Sequence, residues 1–420
     1  MKTPARAAVP GHPIATPDLA GLRVDGLTPS TIMHPEDADD AARGLRQCAE
    51  AGAGVVVWGG GTLLTLGAVP RRYDVAFSTD RLTHVLEYEP ADLTCRVQAG
   101  VPVAALQDQL GKHGQWLPLA PPHPERATLG GTVAANASGP GRARYGSVRD
   151  WVIGITVAYP NGKVARAGGK VVKNVAGYDL MKLHTGALGT LGVVVEVNLK
   201  VQARPQASRS LWAHFERVGD AVACALALSR GYLQPAVMAA ITGEAVVGAS
   251  LPRASGVTLA MRVEGHQAEV DATVAAIASA VSANSGRLEA DGVPDGVFEA
   301  VRDWTAPESP ATIVFTASVP RTGVLTVVEA AGRDAGVVAL PAVGTVHVRP
   351  RAEEAAEMLP RLRRAAGADG QVVVASAPPA FKTEVDVWGP PPAGFALMRA
   401  LKDRLDPLGT LNPGRFVGGI

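Results

Sequence analysis

A chain of 420 residues, 47% hydrophobic and 19% charged, has the composition of a folded protein and is longer than one ordinary core accommodates. Its formal charge of +1 excludes a nucleic-acid partner held by a broadly basic surface. Cys48, Cys95 and Cys224 are too scattered for a zinc or iron–sulfur motif, so no metal site is expected and the thiols read as small buried groups in a reducing compartment.

The opening MKTPARAAVPGHPIATP places prolines where a signal peptide needs its apolar stretch, and residues 1–30 read as a loose arm. DADDAARGLRQCAEAG (37–52) predicts a helix with an acidic first turn, Ala41, Leu45 and Cys48 on one face, and Gly52 at its end. VVVW (55–58) is a buried strand that delivers three glycines and a threonine. Residues 82–90 and 93–100 follow as strands and 101–114 as a short helix. Beyond residue 206, SLWAHFE, GDAVACALALSRG and QPAVMAAIT read strand, helix, strand, and the pattern recurs through VTLAMRVEG, HQAEVDATVAAIASAVSANSG and RLEAD. ATIVFTASV, a helix near 321–332, GTVHVRPR and the helix RAEEAAEMLPRLRRAAG complete it. This alternation predicts an antiparallel sheet with helices on one face, over 207–375. Residues 376–420 form a separate segment with its own helix, ending in LDPLGTLNPGRF and returning towards the first domain. No run approaches 18 uncharged apolar residues, so a cytoplasmic protein without direct membrane insertion is expected, with membrane association only through partners.

Three stretches are rich in glycine and small polar residues. The first is VVVWGGGT. The second is ATLGGTVAANASGPGRARYGSVRDWVIGI (127–155), where glycines alternate with hydroxyls and an amide. The third is GGKVVKNVAGYDLMKLHTGALGTLGVVVEVNLKV (168–201), in which Asp179 is placed to cap LMKLH, Gly186 lies near that helix's end, and Gly189 and Gly192 bare the backbone before a strand. Such loops let main-chain N–H groups converge on an anion, and hydroxyls add directed hydrogen bonds. G-x-G-x-x-G opening a helix, the dinucleotide fingerprint, is not written here. Taken singly, each stretch is equally well an ordinary loop.

Together, VVVWGGGT, ATLGGTVAANASG with its RYG, and GYDLMKLHTGALGTLGVVVEV resemble the flavin-binding domain of the vanillyl-alcohol oxidase family, the PCMH-type FAD domain. The likeness spans about 30–205, with an echo in LDPLGTLNPGRF. The resemblance implies an α+β fold: an FAD-binding domain over 31–206 and a smaller antiparallel α+β cap domain over 207–375. It also implies that Gly59, Gly60, Gly61 and Thr62 hold the FAD pyrophosphate. Thr128, Gly130, Gly131, Asn136, Ser138 and Gly139 would line the pyrophosphate and isoalloxazine, Tyr145 and Gly146 would continue that wall, and Gly192, Val193 and Val194 would meet the adenine end. Thr62 stands after the glycines and RYG holds no cysteine, so non-covalent FAD is expected.

Within the family the chain is similar to the FAD-binding E-type subunits of bacterial glycolate oxidases. This implies a larger related flavin subunit and an iron–sulfur subunit as partners, with glycolate oxidised to glyoxylate. Oxidising a 2-hydroxy acid needs a cation for the carboxylate, a base for the hydroxyl proton and a hydride acceptor. Related D-lactate-type enzymes carry a segment resembling H-x-G-D-G-N-L-H, whereas GTVHVRPR here keeps only His347. No catalytic residue is legible. His347 reads as a strand residue, Arg349 as one half of a surface ion pair, His184 as a cap on helix carbonyls, and His123 as a loop residue. Lys173 and Tyr178 read as structural, and Trp58 as packing. Two alternatives stay open beside the subunit reading. One is a self-sufficient FAD-dependent dehydrogenase or oxidase for a 2-hydroxy acid or sugar-like alcohol; the other is a non-catalytic scaffold with a decayed flavin site.

Overall fold

The computed structural model describes residues 7–8, 19–170, 178–243, 256–289 and 296–420; Lys173 lies outside the described residues. The chain divides into two compact units. One comprises Met1–Ser138, Ser147–Arg204 and Pro379–Ile420, the other Gly139–Gly146 and Pro205–Pro378. The sequence reading runs the first domain without a break, but the short helix Arg142–Tyr145 packs with the second unit. There Tyr145 donates to Glu264 at 2.6 Å and Arg144 to Glu269 at 2.9 Å.

In the first unit the helix Ala38–Glu50 starts at Asp37, whose carboxylate accepts from the Asp40 amide at 2.8 Å. That caps one orphan N–H and places negative charge at the positive end of the helix. The helix buries Ala41, Leu45 and Cys48 against Val55, Phe77, Val193 and Val195. Beneath it three parallel strands run in the order Thr31–Met33, Val75–Ser78, Val55–Trp58. Both faces of a parallel sheet are covered, which is why VVVW reads as an unbroken apolar run. The C-terminal segment joins this layer, since the Val55 amide donates to Thr410 at 2.8 Å and the Asn412 amide to Val55 at 2.7 Å.

A second, antiparallel sheet in the unit is ordered Ala7–Ala8, His84–Glu89, Thr94–Gln98, Val193–Lys200, Val152–Ala158, Val164–Gly168. Its central strand Val193–Lys200 turns from continuous burial to alternation along its length, so it leaves the covered core for a half-solvated face.

The second unit is built on eight antiparallel strands. Their order is Arg287–Glu289, Ala207–Phe215, Val257–Gly265, Val237–Thr242, Gly336–Leu340, Thr345–Arg349, Val314–Ser318, Gln371–Ser376. The helices Val218–Arg230 and Gln267–Ala283 cover the face on which Leu211, Ala213, Leu259 and Met261 are buried. The expectation of helices on one face only is corrected here. Val297–Trp304 packs its Val297, Phe298, Val301 and Trp304 against Trp212, Ala239, Ile241, Ala260 and Val338, which share the opposite face through direct cross-strand pairing. The physical reason lies in the central strand: Val237–Thr242 is apolar at five consecutive positions, so both of its faces need cover.

Candidate functional site

The site of the first unit is a groove where the strand Val55–Trp58 ends. It is walled by the loop 59–66, the turn and helix 127–135, the segment 188–194 and the C-terminal pair Asn412 and Arg415. Of the residues singled out from the sequence, Gly59, Gly60, Gly61, Thr62, Thr128, Gly130, Gly131, Val193 and Val194 line it. Asn136, Ser138, Gly139, Tyr145, Gly146 and Gly192 are not among its lining residues.

The glycines are fixed by loop packing as much as by any ligand. A Cβ on Gly60 would enter the carbonyl of Arg126, and one on Gly59 would strike the Thr128 hydroxyl. A Cβ on Gly130 would come within 2.7 Å of the Ala99 methyl. Gly61 has φ +74°, a conformation that side chains resist. The two loops therefore lie backbone to backbone, and the amides of Gly59, Gly60, Gly61 and Thr62 make no hydrogen bond to any described residue. Thr128 caps the helix Leu129–Ala135 through Gly131 at 3.2 Å, which holds the second loop in place.

Residues outside the lining have identifiable work. Asn136 takes φ +52° at the end of that helix, and the Ser138 hydroxyl accepts the Val148 amide at 3.2 Å. The Tyr145 phenol is spent on Glu264, and burial pushes its pKa up. Gly192 makes room for Val157, 2.5 Å from where its Cβ would stand. Trp58 packs as expected, its Nε1 donating to the Tyr73 hydroxyl at 2.6 Å. His123 forms a turn whose carbonyl receives the Arg126 and Ala127 amides at 3.0 and 2.8 Å. Tyr178 is exposed.

Two expectations are overturned. His184 does not cap helix carbonyls: its ring is buried, 2.8 Å from the Tyr159 hydroxyl, and burial pushes its pKa down to about 4. Arg349 forms no ion pair among the described residues. Its guanidinium lies over the Trp304 ring at 4.3 Å and donates to the Trp304 carbonyl, and burial pushes its pKa down to about 10. His347 sits on the same face of that strand, Nδ1 at 3.0 Å from the Thr316 hydroxyl, with its pKa brought down to about 4 by burial. All three cysteines are buried and free, as read from the sequence.

The sequence reading noted Thr132 as a hydroxyl of the second stretch without placing it at the cofactor, and it missed Asn412 and Arg415 in the groove. Three buried polar atoms there lack a partner among the described residues: Thr132 Oγ1, Asn412 Oδ1 and Arg415 Nε. Among the described residues, Arg415 is the one charged residue of the lining. Four free amides, a hydroxyl, an amide oxygen and a guanidinium N–H around an otherwise apolar groove suit a long, polar, anionic ligand with flat apolar parts.

Comparison with known proteins gives that ligand a name. Residues 29–168 match the FAD binding domain family and residues 390–416 the C-terminal domain of FAD linked oxidases. The chain is 28% identical over 429 aligned positions to glycolate oxidase subunit GlcD of Bacillus subtilis (strain 168), covering 92% of this chain and 89% of that one. It is 46% identical over 128 positions to glycolate oxidase subunit GlcE of Escherichia coli (strain K12), covering 30% of this chain and 37% of that one. Among solved structures, p-cresol methylhydroxylase with substrate bound superimposes with a TM-score of 0.68 at 16% identity, covering 91% of this chain and 88% of that chain. The fold is the PCMH-type FAD-binding fold, and the cofactor is FAD.

Proposed function

We propose that this chain, an FAD-dependent oxidoreductase of the PCMH-type fold acting on CH–OH groups, is the FAD-binding subunit of a glycolate oxidase complex. It takes part in oxidising glycolate to glyoxylate and hands the electrons to a partner. The observation that carries the reading is the groove, lined by residues 59–62, whose four consecutive amides pair with no described residue, and by Thr128, Gly130 and Gly131. The amides of Gly59, Gly60, Gly61 and Thr62 receive the pyrophosphate, with Thr128, Gly130 and Gly131 as the opposite wall and Val193 and Val194 towards the adenine. Asn136, Ser138 and Gly192 hold the shape of neighbouring loops in the same unit, while Gly139, Tyr145 and Gly146 belong to the second unit.

FAD, once bound, supplies hydride acceptance from the carbon bearing the hydroxyl. The chain's own contribution is to hold the cofactor without a covalent tether and to keep its anionic centre out of water. Electrons delivered to a buried cofactor need an exit, and a larger related flavin subunit with an iron–sulfur subunit provides one in this reading. The likeness to both GlcD and GlcE relatives supports membership of such a complex. Among the described residues no helix is long and apolar enough to cross a membrane, so membrane association in this reading runs through partners.

A second reading, a self-sufficient FAD-dependent 2-hydroxy-acid dehydrogenase, is favoured by the length of the match to the Bacillus subtilis subunit, which spans 89% of that chain. One experiment separates the two: an anaerobic visible spectrum of the purified chain before and after glycolate. Flavin bands that glycolate leaves unchanged, and that bleach once the co-expressed partner subunits are added, support the subunit reading. Bleaching by glycolate of the chain alone establishes the second. A protein without flavin bands, alone or with its partners, refutes both.

A further inference from the structure

The C-terminal segment brings three cations into the interior of the first unit: Lys382, Lys402 and Arg415, all at most 5% exposed. Two are matched. Lys382 Nζ lies 2.7 Å from Asp25 and Lys402 Nζ lies 2.6 Å from Asp406. Arg415 has no such partner among the described residues. Its Nη2 donates to the carbonyls of Leu64 and, at 2.8 Å, Leu66, while its Nε has no acceptor. Asp25 is within electrostatic reach of Arg415, but one carboxylate then answers two cations, and its Oδ1 is already held by Lys382. Among the described residues the group Asp25, Lys382 and Arg415 is therefore left with one uncompensated positive charge.

A buried charge without a counter-charge is among the costliest features a fold can carry, so its persistence calls for an anion. Arg415 is also the residue through which that charge reaches the groove wall, beside Asn412, whose Oδ1 is unpartnered as well. Leu64 and Leu66 lie just after the glycine loop. Their carbonyls thus fix the guanidinium against the segment whose amides are free.

We propose that Arg415 is a cofactor-binding residue that compensates the charge of the FAD diphosphate, its free Nε–H serving the anion while Nη2 stays anchored on the loop. This rests on the reading that the groove holds that diphosphate at residues 59–62. A guanidinium suits the task because its fork of donors can grip backbone carbonyls and an anion together.

The test is equilibrium FAD binding to the full-length chain stripped of flavin, followed by fluorescence quenching at low and high salt. R415Q, R415K and G60A are compared with the unaltered protein, and the melting temperature of each stripped protein is recorded. R415Q is expected to weaken FAD binding roughly ten- to a hundredfold. R415K should recover much of that loss, and the deficit of R415Q should narrow as salt screens the charge. A loss that R415K does not recover and that salt does not alter makes Arg415 a loop tether and overturns the proposal. If R415Q does not fold, the R415K affinity and its salt dependence decide the same question. Unchanged FAD affinity in R415Q, with binding abolished in G60A, overturns the Arg415 assignment and leaves the groove reading standing. Unchanged affinity in both overturns the groove reading and this one with it.

Discussion

The ammonium of Lys402 lies 2.6 Å from the carboxylate of Asp406, one helical turn further on, and both groups are buried. The same nitrogen donates to the carbonyls of Thr190 at 2.8 Å and Leu411 at 3.0 Å, and the carboxylate accepts the amides of Thr410 and Leu411. One pair thus ties the terminal helix Phe395–Leu405, the segment that pairs with Val55, and the loop 188–194 into one wall of the groove. Removing one member strands the other without compensation. K402M is expected to lose about 3–5 kcal/mol of unfolding free energy in urea. K402M/D406N, which leaves no unpaired charge, is expected to lose less than K402M alone. A single variant no weaker than the double would show that the pair is not what holds the wall.

Gly60 and Gly394 separate close packing from generic tolerance. A methyl at Gly60 collides with the backbone carbonyl of Arg126, which cannot rotate away, whereas nothing lies within 4 Å of the position a methyl would take at Gly394. G60A is therefore expected to purify without flavin, or to fail to fold. G394A should keep its full flavin complement, with stability within about 0.5 kcal/mol of the unaltered protein. The ratio of flavin absorbance to protein absorbance checks both. A yellow, stable G60A would mean that the two loops are not in backbone contact.

The contrast between these loops and the tail explains what could be read from the sequence. The strand ending in three glycines and the mixed run at 127–139 announce their geometry locally, because bare backbone has few other uses in such density. The helix at 38–50 is legible for a similar reason: cap, acidic turn and apolar face lie within one stretch. Arg415 is silent by comparison. Its role depends on the carbonyls of Leu64 and Leu66, about 350 positions earlier, and on Asp25 being already engaged by Lys382. No local pattern encodes a charge balance assembled from three distant segments. The helix Val297–Trp304 was missed although a signal existed, for the five-residue apolar run of Val237–Thr242 asks for cover on both faces. Arg349 was misjudged because a strand arginine usually finds a carboxylate, and here an indole ring takes that place.

The cysteines should be inert in the native protein. Cys48, Cys95 and Cys224 are at most 4% exposed. Burial pushes the Cys95 thiol up to about 12 and the Cys224 thiol up to about 11, and raises that of Cys48. Since the thiolate is the reactive form, a disulfide-exchange reagent at pH 8 should titrate essentially no thiol in the folded protein within minutes and all three after denaturation. A fast-reacting native thiol would place at least one cysteine in a different environment from the one found.

His184 gives the acid side of the stability curve a specific cause. Its ring is about 1% exposed, with Nε2 against the Tyr159 hydroxyl and Nδ1 without a partner among the described residues, and burial holds its pKa at about 4 instead of 6.5. Between those values the unfolded chain binds a proton there and the folded chain does not. The contribution is therefore complete above pH 6.5 and declines as the pH falls towards 4, below which it is gone. The gap between the two values caps it at ~3 kcal/mol. H184Q keeps a polar group for Tyr159 but cannot charge. Its stability, measured by urea unfolding, should fall less steeply between pH 6.5 and 4 than that of the unaltered protein. The difference between the two proteins should then shrink by up to ~3 kcal/mol over that interval and stay constant above pH 7. Parallel pH profiles would mean that His184 charges freely in the folded state, and that the buried ring facing Tyr159 is not its true setting.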